Sequence, residues 1–454
     1  MTSASAATTT LREEATALLQ ELIRAHTVNP PGNESRAAEI LRGYLARDGI
    51  DCEWIARDPE RANVIARLPG GDGPSLAFLC HTDTVLADPS EWTRDPWSGD
   101  VIDDEIWGRG ALDMKGQVAA SAVAFASLAR EGFRPSGDLL FVATADEELG
   151  EGDAFGLSWL VSEHPESVRC DFAVNEGGGD RLLLGGNPVY LCATAEKMAA
   201  AFLLRVHGRS GHASMPGIAD NALVKAARYI EALADYAPEP TLIPEARALL
   251  EAVLGEALTA EEAAARAREL DPALGDLVEP LLALTLSPTM IEASQKRNVI
   301  PAVCDVVVDC RLLPEQTPRD AEPLIRAVLG PGDYELQWIE PAGGTRSPLE
   351  TPLWDALASF VEQTEPRARL VPNACAGFTD SHYLREGFGT VAYGFFPTKA
   401  MDPDLATKLI HSADERIAIA DLELGVEMLR HVAREMLGRT VPDTALNTRA
   451  GKAC

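Results

Sequence analysis

The stretch Leu76–Val85, LAFLCHTDTV, decides the fold. An unbroken apolar run ending in a polar triplet reads as a strand buried on both faces, the signature of a central strand in an α/β sheet. Alternation puts His81 and Asp83 on one face of the strand and Cys80 and Thr82 on the other. Asp83 can then hold the His81 ring, since a ligating histidine usually donates its second N–H to a carboxylate. A buried strand ending in a polar turn would account for these three residues equally well, so the chemistry has to come from elsewhere in the chain.

Outward from this strand, two more apolar runs end in carboxylates. DLLFVATAD, residues 138–146, is followed by Glu147 and Glu148, and CDFAV, residues 170–174, is followed by Asn175, Glu176 and three glycines. Neighbours at a strand end point in different directions, so Glu147 and Glu148 can do different jobs. Carboxylates at the carboxyl ends of strands sit where open α/β sheets place their ligand crevices. Asp113 lies in WGRGALDMKG, residues 107–116, and His411 in LIHSADE, residues 409–415. Two histidines and three carboxylates can hold two divalent cations while one more carboxylate moves protons, the inventory of a two-metal hydrolase. Taken singly, each context also reads as a charged or polar turn; their joint presence carries the argument.

The order of HTD, GRGALDMKG, DEELG, NEGG, the GRSGHASMP segment and the late histidine before Asp414 and Glu415 resembles the M20 metallopeptidase family, from about residue 12 to about residue 438. That group contains glutamate carboxypeptidases, aminoacylases, succinyl-diaminopimelate desuccinylases and carboxypeptidase S-like enzymes. The resemblance implies that Asp113 bridges two metals, with His81 and Glu176 completing one site and Glu148 and His411 the other. Glu147 would be the general base, Asp83 the partner of His81, and the Asp113–Met114 peptide would be cis. His212 would stabilise the oxyanion, in some relatives from a neighbouring subunit. Asn298 and Arg311, in RNVIPAVCDVVVDCRLLP from residue 297, match positions that hold the substrate's carbonyl and carboxylate. Gly377, in CAGFTDSH, matches a substrate loop. Zinc is the first choice of metal, with cobalt and manganese suited to the same mixed ligands.

The implied function is hydrolysis of an amide or peptide bond whose amine side is an amino acid with an unblocked α-carboxylate, by a carboxypeptidase, dipeptidase or N-acyl-amino-acid amidohydrolase. A guanidinium at position 311 binds such a carboxylate through two parallel hydrogen bonds. Glutamate at 176, where aminopeptidase relatives usually carry aspartate, favours this reading over an aminopeptidase. A non-catalytic binding relative would have lost Glu147 or a ligand, and none is lost. GRSGH around Ser210 has its glycine one place too early for a nucleophile elbow, and neither GRG nor GGG completes a nucleotide-binding motif.

The expected architecture is α/β: a mixed-sheet di-metal hydrolase domain of aminopeptidase-like type, residues 1–194 and 348–454, interrupted by a smaller α+β lid, residues 195–347. The glycine- and proline-rich PAGGTRSP, residues 341–348, marks the return. Residues about 240–286 form an alanine-, leucine- and glutamate-rich helical insertion within the lid. The insertion makes the chain look closer to the carboxypeptidase S-like branch than to the small desuccinylases, and it puts lid-mediated homodimerisation in question by covering the usual contact strand. A formal charge of −30 argues against nucleic acid. Eight cysteines without a CxxC pair read as reduced and buried rather than as a disulfide framework. The first residues lack the pattern of a secretory signal and no run is apolar enough to span a bilayer, so the expectation is a cytoplasmic enzyme acting on small molecules.

Overall fold

The structure is a computed structural model and describes residues 9–438 except 150–153, 340–342 and 376. The first eight residues, on which the absence of a signal was partly read, and Pro341 and Ala342 of the connector lie outside the described residues. Two compact units emerge from the packing: Met1–Val174 with Glu350–Phe360 and Thr398–Cys454, and Asn175–Leu349 with Val361–Pro397.

In the first unit, β1 (Cys52–Ala56) and β2 (Ala62–Leu68) pair antiparallel, and β2 pairs antiparallel with β4 (Leu139–Thr144). Strand β3 (Leu76–His81) runs parallel to β4 on one side and to β5 (Phe172–Asn175) on the other. Every residue of β3 and β4 is buried, which explains why these segments read as continuous apolar runs. The helix Lys115–Arg130 is buried on nearly all sides, as expected for an alanine-rich helix lying between the sheet and the helix Ile419–Leu437. Phe78 on β3 and Phe141 on β4 are fully buried, each contributing roughly 1.5–3 kcal/mol of burial free energy.

In the second unit, β6 (Arg181–Leu184) pairs antiparallel with β7 (Asn187–Glu196), and β14 (Arg369–Cys375) runs parallel to β7. A second sheet is built from β8 (Phe202–His207), β10 (Thr285–Glu292), β12 (Val303–Leu312) and β13 (Tyr334–Trp338), all antiparallel, in the order β10-β12-β8-β13. Strand β12 alternates strictly between buried and more accessible positions, and its buried residues Cys304, Val306, Val308 and Cys310 pack with Ala222, Ala226 and Ile325 from two helices. A short ribbon pairs β9 (Gly211–His212) with β11 (Val299–Ile300).

The packing units are drawn differently from the sequence division at residues 194 and 348, because β7 and β14 share a hydrogen-bonded ladder and hold 187–196 and 369–375 together. The helical insertion also packs otherwise than expected. Its helices Pro244–Leu254, Ala260–Leu270 and Pro272–Val278 bury Leu249, Leu250, Ala263, Ala267 and Leu274 against Leu184, Val189, Leu191 and Val371, on β6, β7 and β14. The insertion therefore leaves β10 uncovered at Met290 and Ile291, which are 67% and 52% exposed. Among the described residues, five of seven cysteine thiols are buried, and no helix is long and apolar enough to cross a membrane.

Candidate metal centre

Strand β3 delivers His81 into the first unit with the imidazole almost completely buried. Its Nε2 lies 3.2 Å from Asp113 Oδ1 and 3.9 Å from Glu147 Oε2. The other oxygen of Asp113 lies 3.1 Å from His411 Nε2, which is also 3.2 Å from Glu148 Oε2. One carboxylate thus faces two imidazoles with its two oxygens, the relation a carboxylate shared by two cations requires. The ligand atoms of His81, Asp113 and Glu148 lie within 4.8 Å of one another, so imidazole and carboxylate donors converge as a divalent transition metal needs. The Asp113–Met114 peptide is cis. His411 is about half exposed, so the cluster has one open side.

The electrostatics follow from crowding. Burial alone would raise Asp113, but the hydrogen bonds of His411 and His81 outweigh it and hold its carboxyl well below the usual range. Glu148 moves the other way, pushed up chiefly by burial, because it has one imidazole facing it and also feels the charge of Asp113. Asp113 and Glu148 together push His411 up to about 10.

Two carboxylates hold the ligand-bearing loops. Glu415 is fully buried and accepts hydrogen bonds from the backbone N–H groups of Gly110, Leu112 and Asp113 as well as from Arg109. Burial pushes it up to about 7 despite these partners. It ties the segment after His411 to the loop that carries Asp113. Asp83 was read as the holder of the His81 ring, and His81 Nδ1 lies 3.5 Å from its Oδ1 but nearer, at 3.2 Å, to its backbone oxygen. The Asp83 carboxylate is also engaged by the backbone N–H groups of Glu147 and Glu148, at 3.2 and 3.1 Å. Neither role was legible in the sequence, although Glu415 stands inside the LIHSADE motif.

The other expected residues are in the second unit. Glu176 directly follows β5, the parallel neighbour of β3. His212 and Asn298 are brought together: His212 pairs with Val299 across the β9–β11 ribbon, and Ala213 N–H donates to the Asn298 carbonyl at 3.0 Å. Both are exposed, and His212 Nδ1 is 2.8 Å from Ser214 Oγ. Arg311, on β12, uses its Nε and Nη2 to grip Asp309 through two bonds of 2.9 and 3.0 Å, a pairing within one strand that the sequence reading missed. A Cβ at Gly377 would meet open space, so packing does not demand glycine there.

A mixed α/β sheet with imidazoles and carboxylates gathered beyond the ends of β3 and β4 fits a hydrolase able to hold metal. The model of peptidase family M20/M25/M40 matches residues 77–435, and the chain belongs to that family. It is 30% identical to a succinyl-diaminopimelate desuccinylase of Rhodospirillum centenum, over 89% of this chain and 93% of that one. A desuccinylase of Cereibacter sphaeroides is 28% identical over 90% of this chain and 94% of its own. Among solved structures, the fold is similar to an M20 family metallo-carboxypeptidase from Sulfolobus solfataricus, with a TM-score of 0.71, 18% identity, and 93% and 99% of the two chains covered. It is also similar to human carnosine dipeptidase 1, with a TM-score of 0.66, 16% identity, and 94% and 96% covered.

Proposed function

We propose that this M20 hydrolase cleaves an amide or peptide bond whose amine side is an amino acid with an unblocked α-carboxylate. The observation that carries the reading is the pair of imidazoles, His81 and His411, facing opposite oxygens of Asp113, with Glu147 and Glu148 beside them. His81, Asp113, Glu148, His411 and Glu176 would hold two divalent cations, zinc first and cobalt or manganese next. Such cations polarise a carbonyl and lower the pKa of water toward 7. Glu147 takes the proton of the attacking water and delivers it to the departing amine. His212 and Asn298, neighbours on the β9–β11 ribbon, steady the carbonyl oxygen as charge develops on it. Residues 195–347 act as a lid, with Gly377 contributing a backbone contact to substrate.

Arg311 is the proposed carboxylate clamp. Asp309 occupies Nε and one side of Nη2, which orients the guanidinium and leaves Nη1 to donate to a second carboxylate. Hydrogen bonds to a charged partner are worth about 1.5–3 kcal/mol, so Arg311→Ala should raise KM for substrates with an unblocked carboxylate by about 10–100-fold. The amidated analogues should be unaffected; equal losses on both would remove Arg311 from carboxylate recognition.

The activity is tested with metal-loaded protein on paired dipeptides and N-acyl amino acids, succinyl derivatives included, each with unblocked and amidated carboxylates. Chelator-sensitive cleavage confined to the unblocked members is expected. The better half of the panel separates peptidase from amidohydrolase, and cleavage of blocked substrates alone would overturn the proposal. The uncovered strand β10, with Met290 and Ile291 outward, supports a homodimer through a second copy of that strand. Buried thiols among the described residues support a reducing, cytoplasmic location.

A further inference from the structure

The turn that carries Glu147 and Glu148 is held by a buried polar network in the first unit. Asp146, the residue before them, has φ of 65°, the left-handed region that a non-glycine residue enters only at a cost. That conformation turns the chain out of β4 so that two consecutive glutamates leave the strand end. Its side chain is 3% exposed, and its Oδ1 accepts from Arg61 Nη2 at 2.7 Å and from Asn29 Nδ2 at 3.0 Å. Its backbone N–H donates to Glu34 Oε1 at 3.3 Å. Arg61 in turn grips Glu34 through two bonds of 2.5 and 2.8 Å.

Asn29 links this group to Asp83. The same amide nitrogen donates its second hydrogen to Asp83 Oδ2 at 2.9 Å, so one NH2 group bridges Asp146 and Asp83, and Asp83 carries the backbone N–H groups of Glu147 and Glu148. The two carboxylates fix which way the amide points, because the flipped form would turn its oxygen onto them. The consequence is visible on the other side, where Asn29 Oδ1 is buried without a hydrogen-bond partner. A buried acceptor left without a partner is unfavourable, and the residue bears that penalty while its amino group spans the turn. The main chain of Asn29 is itself anchored, its N–H donating to the Thr84 carbonyl at 2.9 Å. Gly32 leaves room for the guanidinium: a Cβ there would lie 2.1 Å from Arg61 Nε.

We propose that Asn29 and Arg61, with Glu34, are positioning residues that hold the Asp146 turn so that Glu147 and Glu148 project together toward His81 and His411. The proposal rests on the reading of Glu148 as a metal ligand and Glu147 as the base. Ion-pair loss in a remote part of the protein would lower stability alone; loss of this network acts on the ligand and the base at once.

The test uses the full chain as Asn29→Ala and Arg61→Lys, with zinc affinity measured by calorimetry on the chelator-stripped protein, and kcat, KM and melting temperature measured beside it. Removing groups that orient metal ligands typically weakens metal affinity or activity by about 10–100-fold, and that drop is expected in zinc affinity for both variants. At saturating zinc, kcat should stay depressed while KM changes little, because the base is misplaced and the substrate contacts are intact. Folded Asn29→Ala protein with wild-type zinc affinity and wild-type kcat would overturn the proposal, as would a lowered melting temperature with both intact. Should Arg61→Lys fail to fold, Asn29→Ala decides, since it leaves the Arg61–Glu34 pair in place. Zinc binding that responds to Asn29→Ala in a protein that cleaves no amide would sink the proposed activity and leave the positioning role standing.

Discussion

Glu147→Ala should reduce kcat by about 10²–10⁴-fold, roughly 3–5 kcal/mol of transition-state stabilisation, while zinc content stays near that of the unaltered protein. The geometry supplies the reason. Glu148 is at 3.2 Å from His411 and its own Oε1 accepts from Val85 N–H, whereas Glu147 Oε2 lies 3.9 Å from His81 Nε2. In the proposed mechanism Glu148 is the carboxylate held among the ligands, and Glu147 is the one that moves a proton. The experiment is steady-state kinetics on Glu147→Ala and Glu148→Ala with metal content measured for each. Retained turnover in Glu147→Ala would end its role as base, and loss of metal from Glu147→Ala but not from Glu148→Ala would exchange the two assignments.

Chelation should abolish turnover and lower the melting temperature, and re-addition of zinc, cobalt or manganese should restore both. A ligand present at about 1,000 times its Kd stabilises the folded chain by roughly 4 kcal/mol, and that contribution disappears with the metal. The effect is expected to be large here because the carboxylates of Asp113, Glu147 and Glu148 crowd around the imidazoles of His81 and His411, and Asp113 and Glu148 push His411 up to about 10. Asp113→Asn is the control: its oxygens face both histidines, so the variant should be inactive and its melting temperature should no longer respond to chelator. Turnover that survives exhaustive chelation would remove metal from the mechanism.

Legibility differed from residue to residue for physical reasons. Leu76–His81 and Leu139–Thr144 were readable as buried strands because burial on both faces demands an unbroken apolar run. Val303–Leu312 was readable because one buried face demands alternation. The helical character of residues 244–278 was equally plain, but their docking on β6, β7 and β14 was not, since an amphipathic helix states that it has a partner without stating which. Asp309 beside Arg311 looked like an ordinary strand residue; that it shares the guanidinium follows from both side chains emerging on the same face. Asn29 and Arg61 stand far from any carboxylate motif and carried no local signal at all.

The amino-acid order by itself determined the strands, the class of sheet, the chemical inventory of two histidines and several carboxylates, and the family, because these rest on local periodicity and on short motifs whose order survives in the chain. The tertiary structure decided which oxygen of Asp113 faces which histidine, that Glu415 and Asp83 cradle backbone amides, and that Asn29, Glu34 and Arg61 converge behind the two glutamates. Those relations join residues as far apart as 32 and 306 positions, and a contact at such separation is set by the packing of whole elements rather than by anything the neighbouring residues express.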